Sequence, residues 1–359
     1  MAISIKITKT TQSRINTCDL NDIKFGSIFS DHMFVIDYKD GSWQNGEILP
    51  YGPLSLSPST FALHYGQAIF EGMKAYKNEA GEALLFRPKM NFDRLNKSAR
   101  RMGMAELPED LFMDALNKLI AVDSAWIPTK KGSALYIRPY MFASDAFVGV
   151  RPAKHFKFVI FTCPVNAYYP KPISVLVEEK FARAFDGGVG DVKTAGNYGL
   201  SMLPTAEANQ KGFDQIIWTD GREHKYIEES GTMNIFFVIS KTVITPAIDG
   251  TILAGVTRDS CITLLKQKGY EVEERKISID EVVAASKNGT LTDAFGSGTA
   301  AIIAKIAAFN YQGIEYTLPN PEERVVSTFL YDTLGDIQTG KVVDTFGWVS
   351  KVHELKITL

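Results

Sequence analysis

The chain has 359 residues, 45% of them apolar and 22% charged, with a formal net charge of −2. That length favours two domains sharing an interface, and the composition is that of a folded soluble protein, not a disordered one. The basic cluster Lys97, Arg100 and Arg101 reads as the solvated face of a helix, so the charge pattern argues against a nucleic-acid partner. Three widely spaced cysteines, Cys18, Cys163 and Cys261, form neither a zinc pattern nor a disulfide framework and fit a reducing compartment. No apolar run reaches the roughly 20 residues of a membrane span. The N-terminal alternation Ile3, Ile5, Ile7 suits a strand better than a transit peptide, so cytoplasmic residence is the expectation.

In chain order, "HMFVIDY" and "ALLFRP" read as strands. "KMNFDRLNKSARRMGM" reads as a helix, with Phe92, Leu95, Ala99 and Met102 at helical spacing and Pro88 near its start. "EDLFMDALNKLIAVDSAWI" is a second helix, closed by Pro128. Pro164, Pro170 and Pro172 then mark a connection unsuited to a helix or an internal strand. Beyond it "ISVLVEE", "QIIWTD", "NIFFVIS" and "VITPAI" are β-rich. "RDSCITLLKQKG" is a helix ended by Gly269, and Ser278 with Glu281 has capping-box spacing. The expected organisation is a small N-terminal domain over 1–163, a connection over 164–173 and a larger domain over 174–359, barrel-like with helices outside.

Several segments could carry chemistry. In "GDVKTAGNYG" the lone amine of Lys193 lies among Gly190, Gly196 and Gly199, which would let a flat group approach; an ordinary solvated lysine in a turn is the alternative. In "IEESGTMNIFFVI" a carboxylate, Glu228 or Glu229, precedes a buried strand and needs a cationic partner there. The second Ser-Gly-Thr, at Ser297, Gly298 and Thr299, could cradle an anion, and Gly255, Val256 and Thr257 would offer N–H groups at a helix start. Tyr136 and Arg138 emerge on one face of a strand, suited to clamping a carboxylate or simply to cross-strand packing. Tyr65, Phe70, Glu71 and Gly72 suggest a snug apolar pocket or a plain core. An amine, a carboxylate, anion cradles, a clamp and a pocket are together what pyridoxal 5'-phosphate and an amino-acid substrate would use.

The blocks "FSDHM", "LHYGQAIFEGMKAY", "LFRPKMNFDRL", "SALYIRP", "GGVGDVKTAGNYG", "ESGTMNIF", "GVTRDS" and "FGSGTA" resemble, in this order and over nearly the whole chain, the branched-chain amino acid aminotransferases of pyridoxal-phosphate fold type IV. The resemblance implies an α+β (α/β) fold with a small N-terminal α/β domain and a larger barrel-like β domain. It implies that Lys193 is the catalytic residue, forming the internal aldimine. Tyr198 would meet the cofactor's phenolic oxygen and Glu229 its ring nitrogen. Arg94, Val256, Thr257 and Thr299 would hold the phosphate, with Arg183 near it and Thr232 in the cofactor set.

The substrate's side chain would lie against Tyr65, Phe70, Tyr136 and Tyr168, with Phe25 or Phe29 nearby. Its carboxylate would meet the backbone of Thr299 and Ala300, and Arg138 would admit the acidic side chain of glutamate. A partner subunit would add Val148, Gly149 and Val150, making a homodimer. The implied reaction is ping-pong transamination between leucine, isoleucine or valine and 2-oxoglutarate, with Lys193 shuttling the Cα proton. Aminodeoxychorismate lyase and D-amino acid aminotransferase are rival activities of the same fold type, and a catalytically silent cofactor-binding homologue is a third reading. The mammalian members' Cys-x-x-Cys pair is replaced here by Ala301 and Ala304, so a thiol switch at that place is absent.

Overall fold

The computed structural model describes residues 3–20 and 23–353. The chain divides into two units: one holds the residues up to Tyr168, the segment Lys193–Ala195 and the chain from Gly335 onward, and the other holds Tyr169–Val192 and Gly196–Leu334.

The first unit contains β1 (Ile5–Ile7), β2 (His32–Lys39), β3 (Ser42–Trp43), β4 (Gly46–Pro50), α1 (Phe61–Tyr65), β5 (Ala68–Phe70), β6 (Met73–Lys77), β7 (Ala83–Phe86), α2 (Pro88–Arg101), α3 (Glu109–Val122), β8 (Ala134–Ala143) and β9 (Phe156–Val165). Its sheet runs β1-β4-β2-β9-β8-β6-β7, with β3 on β2 and β5 on β8. Strand alternation sorts the side chains. Phe34 and Ile36 of β2, Leu135 and Ile137 of β8 and Phe158 and Ile160 of β9 share one buried cluster with Phe92, Leu95 and Ala99 of α2 and Phe112 and Leu116 of α3. Each such side chain contributes about 1.5–3 kcal/mol by leaving water. Tyr136 and Arg138 of β8 therefore emerge on the opposite face, with Lys74 of β6 directly across from Tyr136.

The proline-marked connection begins later than expected. β9 continues through Pro164, which lies opposite Leu135, to Val165. β2 pairs with β9 only from Phe156 to Phe161. Past that point the ladder on one side has ended, and a residue lacking an N–H is tolerated in the strand.

In the second unit the chain forms β10 (Ile173–Val177), α4 (Ala195–Gly199, whose first residue groups with the first unit), α5 (Met202–Gln210), β11 (Gln215–Thr219), β12 (Ile227–Ser230), β13 (Met233–Ile239), β14 (Thr242–Thr245), α6 (Val256–Gln267), β15 (Glu271–Glu274), α7 (Ile279–Lys287), β16 (Leu291–Gly298), β17 (Ile302–Tyr311) and β18 (Ile314–Thr317). The strands β12-β11-β10-β17-β16-β13 close on themselves because β13 also pairs with β12. This closed sheet with helices is the barrel-like domain the sequence led us to expect. Ser278 Oγ accepts the Glu281 N–H at 3.1 Å and so caps α7, as its spacing predicted.

After α8 (Val325–Gln338) the chain ends its described part on β19 (Val349–Lys351), antiparallel to β7. Residues 335 onward thus group with the first unit, not with the domain assigned to 174–359 from sequence. Among the described residues no helix is long and apolar enough to cross a membrane.

Candidate active site

In the first unit the Lys193 segment is stitched to its surroundings by hydrogen bonds. Phe70 N–H donates to the Lys193 carbonyl at 3.0 Å, and the Lys193 N–H donates to Ser98 Oγ at 3.0 Å. Thr194 bridges Ile69, and its hydroxyl donates to the Ala68 carbonyl at 2.8 Å. The lysine is therefore pinned, although the glycines around it suggested a yielding loop. Of those three, only Gly190 is crowded: a Cβ there would press on Ala184 and the Thr251 carbonyl, while Gly196 and Gly199 have open space.

Phe70 organises the side chains. The Lys193 amine lies 5.0 Å from its ring centroid and the Arg138 guanidinium 4.6 Å from it. Arg138 also donates to the Tyr136 hydroxyl at 3.0 Å, and its buried Nε has no hydrogen-bond partner. A Cβ at Gly72 would overlap that Tyr136 hydroxyl, which explains a glycine between aromatic positions. Phe25 stands edge-on to both Tyr136 and Tyr168, with centroids 5.0 Å away in each case. Phe29 instead stacks on Tyr51, and Tyr65 packs against Phe61.

Helix α2 supplies a polar stripe of which the sequence reading names only Arg94. Asn91, Arg94 and Ser98 fall at i, i+3 and i+7, one face of a helix whose apolar stripe was easier to read. Arg94 donates through Nε to Glu71 Oε1 at 2.8 Å and through Nη2 to Oε2 at 2.9 Å. Asn91 donates to the same Oε2 at 2.8 Å, and the Gly72 N–H adds a contact at 3.2 Å. Burial alone would raise the Glu71 carboxyl. The Arg94 charge and hydrogen bonds, the Lys193 charge and the Asn91 amide outweigh it and hold the group below the usual carboxylate range. The available signal was a lone glutamate inside an apolar run, which must be paired if buried.

In the second unit Glu229 is buried on β12. Its Oε1 accepts the Leu253 N–H at 2.8 Å, and Arg183 Nε lies 3.4 Å from its Oε2. Arg183, expected near a phosphate, also donates to the carbonyls of Gly190 and Thr251. Its neighbours are thus Glu229 and backbone. Burial pushes the adjacent Glu228 carboxyl up to about 7, against a Thr251 hydrogen bond and the Arg183 charge.

Val256 and Thr257 begin α6, with Gly255 as N-cap and no side chain capping the exposed amides. A Cβ at Gly255 would overlap Asn234 Oδ1, whose amide donates to the Leu253 carbonyl at 2.9 Å. Thr299 and Ala300 form the half-buried turn between β16 and β17, Thr232 is exposed between β12 and β13, and Tyr198 lies in α4. The Ser230 and Ser297 hydroxyls are buried without hydrogen-bond partners. In the first unit Val148 and Val150 are 65% and 93% exposed, high values for valine.

A family profile described as amino-transferase class IV matches residues 68–307. The chain belongs to the class IV aminotransferases. It is 45% identical over 357 residues to branched-chain-amino-acid aminotransferase 2 of Bacillus subtilis, with 98% of each chain covered. It is 46% identical over 339 residues to branched-chain-amino-acid transaminase 1 of the same organism, covering 93% of this chain and 95% of that one.

Among solved structures, the branched-chain amino acid aminotransferase of Escherichia coli is similar, with 26% identity, a TM-score of 0.73 and coverage of 90% of this chain and 99% of that one. So is the T.th. branched-chain amino acid aminotransferase with pyridoxamine 5'-phosphate, with 25% identity, a TM-score of 0.71 and coverage of 89% and 98%. Class IV aminotransferases use pyridoxal 5'-phosphate. Taken unit by unit, the residues of this class IV chain have chemistry that suits that group: a pinned lysine in the first unit, and in the second a buried carboxylate and a helix start without a side-chain cap.

Proposed function

We propose that the chain transfers the amino group of leucine, isoleucine or valine to 2-oxoglutarate, in two half-reactions sharing one site, with pyridoxal 5'-phosphate held on Lys193. The observation that carries this reading is the Phe70 wall. An amine for chemistry and an arginine for a distal carboxylate lie against the same aromatic ring. Such a wall suits an aliphatic side chain, and Arg138 offers a buried Nε without a hydrogen-bond partner to the second carboxylate of glutamate.

The bound cofactor supplies an electron sink for the substrate's Cα. Glu229 holds a proton on the ring nitrogen, and the Leu253 N–H keeps its carboxylate aimed. The Val256 and Thr257 amides at the start of α6 receive the phosphate, with Arg94, Arg183 and Thr299 contributing, and Thr232 nearby. Tyr198 donates to the phenolic oxygen. Lys193 would serve as the base that takes the proton from the substrate's Cα. Thr299 and Ala300 backbone groups bind the substrate carboxylate, and Tyr65, Tyr136 and Tyr168 bound its side chain.

Exposed Val148 and Val150 suit burial against a second copy of the chain, so a homodimer and cytoplasmic residence complete the reading. Borohydride treatment of the loaded protein followed by peptide mass spectrometry is expected to find the pyridoxyl adduct on Lys193. Glutamate is expected to form from 2-oxoglutarate and L-leucine. Turnover of D-alanine or aminodeoxychorismate alone, or an adduct on another lysine, would overturn the assignment.

A further inference from the structure

We propose that Glu71 is a positioning residue for this reaction: its carboxylate fixes the plane of the Arg94 guanidinium. The inference deepens the proposed function and rests on it. Glu71 is wholly buried and stands where β5 ends. Its backbone N–H donates to the Pro139 carbonyl at 2.7 Å, so the residue is anchored to β8. Four donors converge on its two oxygens, namely Arg94 Nε, Arg94 Nη2, Asn91 Nδ2 and the Gly72 N–H.

Two-point pairing leaves the guanidinium little rotational freedom, so its orientation toward any anion is set before the anion arrives. The preceding residue, Phe70, donates its N–H to the Lys193 carbonyl and lays its ring beneath the amine. One dipeptide therefore aims both the anion-binding arginine and the reactive lysine. Helix α2 closes the arrangement, since Arg94 grips Glu71 and Ser98, one turn on, accepts the Lys193 N–H.

Other charged groups share this surrounding: Arg94 on α2, Arg138 beside Tyr136 on β8, and Lys74 on β6 opposite Tyr136. Lys74 is pushed by burial down to about 7, so all affinities are compared at one fixed pH.

The test uses the cofactor-free and pyridoxal-phosphate-loaded forms of the parent chain, Glu71→Gln and Glu71→Asp. Equilibrium dialysis gives cofactor affinity, and thermal unfolding of the cofactor-free chain gives stability. Glu71→Gln is expected to weaken affinity about tenfold. Glu71→Asp keeps the charge and is expected to restore affinity only in part, because its shorter side chain does not hold both guanidinium nitrogens in the same plane.

A lower melting temperature with unchanged affinity would make Glu71 merely structural and overturn the proposal. If Glu71→Gln does not fold, Arg94→Lys decides. It is expected to weaken affinity, because it keeps charge but loses the two-point geometry, and undiminished affinity refutes the positioning role. A parent chain that binds no pyridoxal phosphate brings down the functional reading as well. A parent active with L-leucine beside unaltered Glu71 variants brings down this inference alone.

Discussion

The two units each bury a glutamate against an arginine, and the two pairs are built differently. Glu71 and Arg94 meet through two hydrogen bonds of 2.8 and 2.9 Å. Glu229 and Arg183 meet through one 3.4 Å ion contact that is not a hydrogen bond, and Glu229 commits its other oxygen to a backbone N–H. The first pair is neutralised internally and serves to hold shape. The second pair is the looser of the two, and on the proposed reading its carboxylate would also face the cofactor's ring nitrogen.

The largest expected effect separates these roles. Arg94→Met strips a two-point partner from a fully buried carboxylate and is expected to cost about 3–5 kcal/mol in urea unfolding of the cofactor-free chain. Glu229→Gln retains an acceptor for Leu253 and is expected to cost only about 1 kcal/mol there, while turnover of the loaded enzyme falls roughly a hundredfold. Equal stability losses for the two variants would erase the distinction.

This contrast also marks what was legible in the sequence. The residues alone mark a carboxylate, Glu228 or Glu229, at a strand end before "SGTMNIF" and a lone amine, Lys193, among small residues; the family resemblance is what singles out Glu229 and Lys193. Glu71 was noticed but read as part of a pocket wall, since nothing local in "FEGMK" points to Arg94, twenty-three positions on. Asn91 and Ser98 were hidden by the stronger apolar periodicity of the same helix. The closed sheet of the second unit was visible as a run of β-rich segments, whereas β19 returning to β7 was not. A three-residue strand carries too short a period to announce a partner across more than two hundred residues.

Beside the looser pair sits a carboxyl whose proton belongs to the fold. Glu228 is raised from 4.5 to about 7 by burial, so between those values the folded chain binds more protons than the unfolded chain. Stability therefore falls as pH rises through that window and stays lower above it. Glu228→Gln removes the penalty, keeps an oxygen for the Thr251 hydrogen bond, and is expected to be about 1–3 kcal/mol more stable than the parent at pH 8. The difference is expected to vanish near pH 4, where the parent's carboxyl is protonated in both states. A gain independent of pH would show that packing, not ionisation, is responsible.

Arg138 carries the comparison to a third arginine, one bedded on aromatic rings with no carboxylate among its partners. Arg94 and Arg183 each face a buried glutamate, whereas Arg138 rests on ring faces with its buried Nε lacking a hydrogen-bond partner. On the proposed reading the ring faces would offset part of the Arg138 charge when an aliphatic side chain, not an acid, lies beside it. Arg138→Ala is expected to lower kcat/KM for 2-oxoglutarate and glutamate about tenfold, with a change of under about threefold for leucine. The loss for glutamate is expected chiefly in KM, because the distal carboxylate contact is made equally in the ground and transition states. Steady-state kinetics with both amino acids reads the split directly, and equal losses would mean that Arg138 only holds Tyr136 in place.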